Sequence, residues 1–299
     1  MLDVVIIGSG PAGITAAIYA KRANLNVAVV EKEYLGTGQI AESSRVDNYP
    51  GISGIDGYSL GEKFREHAES LGVEFTEAQV LSLGQKDGIW IIGCDEDITL
   101  ESKAVIYATG CKNRPLGVPG EEKYYGRGLS FCAVCDGAFY KGKRVAVIGG
   151  GDTALDDAMY LSDICEKVYL VHRRDFFRGS ASTLEKLKQK ENVEIIVNVR
   201  VEEITGDKKI DGIILDNKTK LNISGLFAAV GMIPQTELLK EFGVLDESNY
   251  VKASEDTKTT VNGLFAAGDV RTKQLRQVVT AAADGANAIY SVMEYLRNI

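Results

Sequence analysis

Residues 4–13 read Val-Val-Ile-Ile-Gly-Ser-Gly-Pro-Ala-Gly, a run of apolar, mostly β-branched side chains that passes directly into a glycine-rich turn. Val4–Ile7 predicts a buried strand, Ile14–Arg22 has the apolar periodicity of a helix, and Val27–Val30 predicts a second buried strand. In a strand–helix–strand unit of this kind, the glycines let the backbone approach a pyrophosphate at the helix N-terminus. The stretch therefore predicts a dinucleotide-binding fold.

The same pattern recurs in the middle of the chain. Val145–Ile148 predicts a strand, Gly149-Gly150-Gly151-Asp152-Thr153-Ala154 the turn, Asp156–Leu161 a helix, and Val168–Val171 the next strand. A single G-x-G-x-x-G motif is a weak signal, whereas two copies, each between a strand and a helix, indicate an internal duplication. The fold class predicted is α/β, with two Rossmann-like nucleotide-binding domains.

The two copies differ in the side chains that end the second strand. Glu31 ends it in the first copy, where a carboxylate accepts hydrogen bonds from a free ribose hydroxyl and repels a 2′-phosphate, so FAD or NAD is expected. The second copy has His172, Arg173 and Arg174 at this point, and Arg178 follows. Guanidinium groups bind phosphate through paired, charge-assisted hydrogen bonds, so this copy predicts an NADPH site. A solvated basic patch is the alternative interpretation.

Cys132 and Cys135 are the only two of five cysteines that are close enough in sequence to form a local pair. A C-x-x-C pair often contains one thiol of lowered pKa and indicates a redox dithiol. Half a zinc site or two incidental core cysteines are the alternatives. Zinc takes about four ligands, and neither a second C-x-x-C nor a Cys/His cluster is present, so no metal site is predicted.

Composition restricts the location and the partners. The 299 residues are enough for about two domains, and the net charge of −8 argues against a nucleic-acid surface and against docking on anionic lipid. No apolar run approaches the ~18 residues of a membrane span, and no signal peptide is recognisable at the N-terminus. A cytoplasmic protein is expected.

The chain resembles, essentially end to end, the low-molecular-weight, bacterial-type thioredoxin reductases. The resemblance is carried by the two glycine-rich turns together with Ala108-Thr109-Gly110, Cys132-Ala133-Val134-Cys135-Asp136, His172-Arg173-Arg174-Asp175-Phe176-Phe177-Arg178, Gly263-Leu264-Phe265-Ala266-Ala267-Gly268-Asp269 and Arg276-Gln277-Val278. It implies a homodimer in which residues 1–112 and 232–299 form an FAD-binding domain. The NADPH-binding domain, residues 113–231, would be inserted into it and would carry the dithiol.

The resemblance also implies one FAD per chain and a set of residues for each nucleotide. Asp269 would bind the ribityl chain, and Gln39, Asn48 and residues 276–278 would lie around the isoalloxazine. The complete FAD set is Gly8, Ser9, Gly10, Pro11, Ala12, Gly13, Glu31, Gln39, Asn48, Thr109, Gly110, Gly268, Asp269, Arg276, Gln277 and Val278. The NADPH set is Gly149, Gly151, Asp152, Thr153, Ala154, His172, Arg173, Arg174 and Arg178.

By the same resemblance, Cys135 faces the flavin and Cys132 attacks the disulfide of thioredoxin or a thioredoxin-like partner. Asp136 is the candidate acid/base, provided that burial raises its pKa. Its alternative role is that of an ordinary turn or helix-cap residue. The implied reaction passes hydride from NADPH to FAD, and then two electrons to the Cys132–Cys135 disulfide and on to thioredoxin.

Three other functions are alternatives to this one. The first is a reductase of the same fold that is fed by reduced ferredoxin, and the intact second turn and the arginine cluster argue against it. The second is a ferredoxin–NADP reductase, which does not need the dithiol. The third is a non-enzymatic nucleotide-binding redox sensor, which nothing in the sequence requires.

Overall fold

The computed structural model describes residues 1–33, 37–43 and 45–299. The α-helices are α1 (Pro11–Arg22), α2 (Gly57–Ser70), α3 (Ala133–Asp136), α4 (Asp152–Ser162), α5 (Ala181–Lys188) and α6 (Val278–Leu296). The strands are β1 (Leu2–Ile7), β2 (Val27–Glu31), β3 (Glu74–Glu77), β4 (Val80–Lys86), β5 (Ile89–Cys94), β6 (Thr99–Tyr107), β7 (Cys111–Asn113), β8 (Leu129–Ser130), β9 (Arg144–Ile148), β10 (Lys167–His172), β11 (Val193–Val197), β12 (Val201–Gly206), β13 (Ile210–Leu215), β14 (Lys220–Asn222), β15 (Gly225–Ala228), β16 (Met232–Pro234) and β17 (Leu264–Ala266). Short 3₁₀ turns occupy Gly38–Glu42, Glu121–Tyr124, Gly137–Tyr140, Glu237–Phe242 and Gly268–Val270.

The chain divides into two compact units. Unit 1 comprises Met1–Lys112 and Ile233–Ile299, and unit 2 comprises Asn113–Met232, which is inserted into unit 1. The sequence-based boundary had assigned Met232 to the first domain. The chain passes between the units in β7 and β16, which pair with each other as a two-stranded sheet. Which nucleotide each unit binds stays a prediction.

Unit 1 is built on a sheet in which β3, β2, β1, β6 and β17 pair in that order, all in parallel. This is the strand order of a doubly wound nucleotide-binding domain. Strand β5 also pairs with β6, in antiparallel fashion, and β4 pairs antiparallel with β5. Strand β1 is buried on both faces, with Val4 and Ile6 packing against α1 and α6, and Val5 and Ile7 against Trp90 and its neighbours. Burial on both faces explains the unbroken apolar run.

Unit 2 repeats the plan. Its parallel sheet has the order β11-β10-β9-β15-β8, and β12, β13 and β14 add an antiparallel three-stranded sheet. Helix α4 packs against β9 and β10 through a core that includes Ala154, Leu155 and Ala158. The α/β class with two Rossmann-like domains, one inserted into the other, is thus confirmed. Among the described residues, no helix combines the length and the apolar character needed to cross a membrane.

Candidate active site

The first glycine-rich turn brings the end of β1 against the start of α1. Gly8 has a φ of +103°, which favours glycine, and a β-carbon on Gly13 would overlap the Gly8 carbonyl oxygen. Helix α1 then begins with Pro11, while the nearest atoms that a β-carbon on Gly10 would meet lie 3.9 Å away. The turn therefore leaves open backbone at a helix N-terminus, where a pyrophosphate fits.

Glu31 is held beside this turn at the end of β2. One of its carboxylate oxygens accepts hydrogen bonds from the Ser9 backbone N–H at 2.9 Å and from the Ser9 hydroxyl at 3.0 Å. The other accepts the Lys32 backbone N–H at 2.8 Å. Two residues that the sequence assigned to one nucleotide site are thus in direct contact, and the carboxylate is fixed in orientation.

Asp269 lies in the 3₁₀ turn that begins at Gly268, where the backbone φ is +82°. Its Oδ1 is buried and, within the described part of the chain, has no hydrogen-bond partner. Burial raises the pKa of this carboxyl, although the nearby Lys273 and Arg276 lower it. A buried oxygen without a partner is uncommon and suits a hydroxyl-bearing ligand, so the residue fits the expected contact to a ribityl chain.

Thr37 is a candidate that the sequence did not reveal. Its side chain is 2% exposed, and its hydroxyl finds no hydrogen-bond partner among the described residues. It packs on the helix-α2 glycine Gly61, where a β-carbon would lie 2.6 Å from the Thr37 hydroxyl oxygen, and the Thr37 carbonyl lies close to Gly10 of the first turn. A single threonine between two glycines forms no motif, and only its burial distinguishes it.

The residues expected around an isoalloxazine are partly brought together. The Asn48 amide donates to the Gln277 side-chain oxygen at 2.9 Å, although the two are far apart in sequence. The Arg276 guanidinium lies 4.2 Å above the Tyr250 ring, and its Nε donates to the Asp269 carbonyl at 3.4 Å. These contacts place four of the predicted residues around one end of α6.

Thr109 and Gly110 follow β6 and lead towards the first crossover. The Thr109 hydroxyl donates to the Gln235 carbonyl at 2.8 Å, and Gly110 has a φ of +66°. Gln39 is half-buried in the 3₁₀ turn Gly38–Glu42, and Val278 is the first residue of α6. Gly38 packs its Cα region against Gly10, which brings the turn that holds Gln39 next to the pyrophosphate cradle.

The second glycine-rich turn has the same construction. A β-carbon on Gly149 would lie 2.7 Å from the Ala154 side chain, whereas one on Gly151 would meet no atom within 4 Å. Asp152 begins α4, and its carboxylate accepts the Ser180 backbone N–H at 2.7 Å. Thr153 is exposed beside it. The open backbone at Gly151 again lies at a helix N-terminus.

Three arginines lie in the loop that follows β10 and contacts the second turn. Arg173, Arg174 and Arg178 are exposed, and none of them forms an ion pair with a carboxylate within the residues described. The Arg178 backbone N–H donates to the Gly150 carbonyl at 2.7 Å, which fixes the loop against the turn. Unpaired guanidinium groups at this position suit a phosphate ligand.

His172 differs from the arginines that follow it. Its ring is 8% exposed and packs beneath Gly150, where any β-carbon would overlap the imidazole. It also stacks on Phe177, with the ring centroids 5.0 Å apart. Burial, and then the charges of the neighbouring arginines, lower its pKa, so the ring is neutral near pH 7. His172 therefore supports the turn rather than adding a charge to the cluster.

The dithiol lies at the start of the one-turn helix α3. Cys132 and Cys135 form a disulfide with a Cα–Cα distance of 5.3 Å, and both residues are half-buried. The Cys135 backbone N–H donates to the Cys132 sulfur at 3.2 Å. A hydrogen bond to this sulfur stabilises its thiolate form once the disulfide is reduced.

Asp136 follows the dithiol directly. Its Oδ2 accepts the Ser130 hydroxyl at 2.6 Å, and its buried Oδ1 has no partner in the described ranges. Burial raises the pKa of Asp136, and the Ser130 hydrogen bond partly opposes that shift. Ser130 also accepts the Cys132 backbone N–H at 3.1 Å, so one hydroxyl links the carboxyl to the dithiol backbone. Ser130 is not predictable from the sequence, where its only signal is its position two residues before Cys132.

The other three cysteines, Cys94, Cys111 and Cys165, are buried free thiols. Burial raises the pKa of Cys111 and of Cys165 to about 11, so both are thiols at neutral pH. Residues 1–33, 37–43 and 45–299 contain no group of three or more His, Cys, Asp or Glu side chains that could hold a metal ion.

Comparison with known proteins identifies the family of this chain. The family model "Pyridine nucleotide-disulphide oxidoreductase" matches residues 2–285. The chain is 40% identical to a thioredoxin reductase of Helicobacter pylori over 100% of both chains, and 38% identical to that of Bacillus subtilis over 99% of this chain and 95% of the relative. The crystal structure of the Streptococcus pyogenes thioredoxin reductase superposes with a TM-score of 0.93 at 40% identity, covering 100% of this chain and 99% of that one. The chain therefore belongs to the pyridine nucleotide-disulphide oxidoreductase family and, within it, to the thioredoxin reductases.

Proposed function

We propose that this protein is an FAD-containing reductase that uses NADPH to reduce the disulfide of thioredoxin or of a thioredoxin-like protein. The reaction consumes NADPH, one proton and a protein disulfide, and yields NADP⁺ and a protein dithiol. The observation that carries the proposal is the Cys132–Cys135 disulfide, which is followed directly by the buried carboxyl of Asp136. Family membership and the two glycine-rich cradles support it.

The first cradle would hold FAD. Its open backbone would hold the pyrophosphate, Glu31 would bind a ribose hydroxyl, and the Asp269 and Thr37 oxygens, which lack partners among the described residues, suit further hydroxyl or ring contacts. The second cradle would hold NADPH, with Arg173, Arg174 and Arg178 on the 2′-phosphate. The bound flavin and nicotinamide would supply the hydride and two-electron chemistry that amino-acid side chains lack.

The side chains of unit 2 would carry out the disulfide exchange. In the reduced dithiol, the Cys132 thiolate attacks one sulfur of the partner's disulfide, forming a mixed disulfide and releasing the partner's other sulfur as a thiolate. Cys135 then attacks the Cys132 sulfur, which re-forms the Cys132–Cys135 disulfide and releases the second partner thiol. The hydrogen bond from the Cys135 N–H favours Cys132 as the first nucleophile.

Asp136 would hold and deliver a proton in this exchange. Because burial raises its pKa, it retains a proton at a higher pH than an exposed aspartate and can donate it to a departing thiolate. The short hydrogen bond from Ser130 orients the carboxyl and keeps its pKa from rising further. Ser130 is thus proposed as a positioning residue.

We also propose that the protein is a cytoplasmic homodimer. Its dithiol chemistry belongs to a reducing compartment, and the net charge of −8 supports neither a nucleic-acid nor an anionic-lipid partner. Leu275, Val279 and Tyr290 expose apolar surface at and along α6, with Tyr290 76% exposed, and such side chains suit an interface between copies. Sedimentation velocity measures this state directly.

The arginine cluster should give the protein its preference for NADPH over NADH. Replacing Arg174 and Arg178 with Ala should raise the KM for NADPH by about tenfold or more per residue, because each lost charge-assisted hydrogen bond costs about 1.5–3 kcal/mol. The KM for NADH should change little. The matched control is Arg200→Ala, an exposed arginine of the same unit outside this loop. Equal losses with both nucleotides would contradict a 2′-phosphate site. Thioredoxin reduction by reduced ferredoxin without NADPH would show that ferredoxin, not NADPH, is the electron donor.

Each cysteine of the dithiol should be essential for disulfide reduction but not for flavin reduction. Cys132→Ser and Cys135→Ser should both lose the ability to reduce thioredoxin. In both variants NADPH should still reduce the flavin, seen as loss of its visible absorbance, with about one FAD per chain. The variant that retains Cys135 should show thiolate–flavin absorbance, and Cys165→Ala should behave as the wild type. The proposal fails if purified protein releases no FAD on denaturation, or if either serine variant still turns over.

The Ser130 hydroxyl should set the pH dependence of the exchange through Asp136. Because this O–H donates to the carboxylate and thereby lowers its pKa, Ser130→Ala should move the Asp136 midpoint to higher pH. Asp136→Asn should remove that midpoint and slow partner reduction by roughly 10²–10⁴-fold. The measurement is the rate at which the reduced enzyme reduces thioredoxin, taken across pH. A midpoint that stays in place or falls in Ser130→Ala would show that another group titrates.

A further inference from the structure

A buried ion cluster joins α6 to the segment that follows the Asp269 turn. We call Asp284, Arg271 and Lys273 the Asp284 cluster; their side chains are 5%, 9% and 7% exposed. Arg271 binds the carboxylate with two nitrogens, Nη2 to Oδ1 at 2.6 Å and Nε to Oδ2 at 2.8 Å. The Lys273 ammonium reaches Oδ2 at 2.9 Å. Two buried cations therefore share one buried anion.

The cluster is attached to both ends of the turn that holds Asp269. At the start of the turn, the Gly268 backbone N–H donates to Asp284 Oδ2 at 2.9 Å. At its end, Arg271 follows directly and binds Asp284 with its guanidinium. The turn also packs closely on α1 at this point, where a β-carbon on Gly268 would lie 2.9 Å from the Ala12 side chain. The direction of the Asp269 carboxyl thus depends on a carboxylate of α6.

The charges of the cluster also act on Asp269. Lys273, Arg276 and Arg271 all lower the pKa of the Asp269 carboxyl, and Asp284 raises it. Loss of the Asp284 charge would leave two buried cations without their anion, and such cations attract any nearby carboxylate. Asp269 already interacts electrostatically with both cations, and its Oδ1 has no hydrogen-bond partner among the described residues, so this oxygen would turn towards the cations and away from a ligand.

We propose that Asp284, through Arg271 and Lys273, is a positioning residue for FAD: it fixes the Gly268–Val270 turn and keeps the Asp269 carboxyl free for the cofactor. This inference rests on the proposed function, since it takes FAD as the ligand of unit 1. It assigns to one side chain of α6 a role in cofactor affinity without contact with the cofactor.

The test measures FAD binding by the flavin-free protein. Asp284→Asn apoprotein is titrated with FAD, and the quenching of flavin fluorescence gives the Kd, while far-UV circular dichroism reports the folded state. We expect the Kd to rise about tenfold or more, as found when residues that orient a ligating side chain are removed. The matched control is Ser291→Ala, which removes a part-buried hydrogen bond of the same helix, to the Asp256 carbonyl, about two helical turns beyond Asp284.

Lys273→Met is the second variant, for the case in which Asp284→Asn does not fold. It retains the Arg271–Asp284 pair but removes one of the hydrogen bonds that hold Asp284 Oδ2. The Kd for FAD should therefore rise, but by less than in Asp284→Asn. FAD Kd values within twofold of wild type in the folded variants, or an equal loss in Ser291→Ala, would overturn the inference. If wild-type apoprotein binds no FAD, the proposed function fails as well, so the two failures are distinguishable.

Discussion

The approach of β1 to α1 depends on a missing β-carbon. Any side chain on Gly13 would overlap the carbonyl oxygen of Gly8, so the strand and the helix meet as they do only because this position is glycine. That close packing turns the first helical N–H groups towards open space at Gly10, and the pairing of β2 beside β1 then brings Glu31 to the same place. One steric constraint thereby shapes the first cradle and brings the N-terminus of α1 and the Glu31 carboxylate together beside it.

A related constraint acts at Gly149, where a β-carbon would lie 2.7 Å from the Ala154 side chain, although Ala154 and not a glycine stands at the position of Gly13. Because a glycine-rich turn follows an apolar strand in both units, much of the fold could be predicted from the sequence. The apolar runs give the buried parallel strands, and the glycines mark the turns. Helix starts were less well predicted. Apolar periodicity indicated Ile14–Arg22 and Asp156–Leu161, whereas the helices begin at Pro11 and Asp152. Their first turns contain small or polar residues that suit a helix N-terminus and a ligand, so they show no hydrophobic pattern.

Site residues that belong to local sequence motifs could be predicted. Those that depend on tertiary packing could not. The dithiol, the two cradles and the arginines follow from adjacent residues. Thr37 and Ser130 acquire their importance only through burial and through partners that the fold supplies. The contact between Asn48 and Gln277, likewise, joins residues from opposite ends of the chain. The raised pKa values of Asp136 and Asp269 arise from burial, which no residue pattern gives.

These two carboxyls also make the free energy of unfolding depend on pH. Between the ordinary pKa and the raised one, the folded state holds the proton more tightly than the unfolded state, so the folded protein becomes less stable as the pH rises through this range.

The discontinuity of unit 1 has a consequence for how the protein is made. A ribosome synthesises β1–β6 first, then all of unit 2, and only afterwards β17 and α6. Unit 2 is contiguous in sequence and can collapse while it is being translated, as domains generally do. The earlier strands of unit 1 must wait, since α1 lacks its packing partner α6 and β6 lacks β17 until these two later elements emerge. During that interval the nascent chain exposes the apolar surface of α1 and an unpaired edge of β6. A chaperone would therefore shield the most apolar surface in the first segment of unit 1, Met1–Lys112.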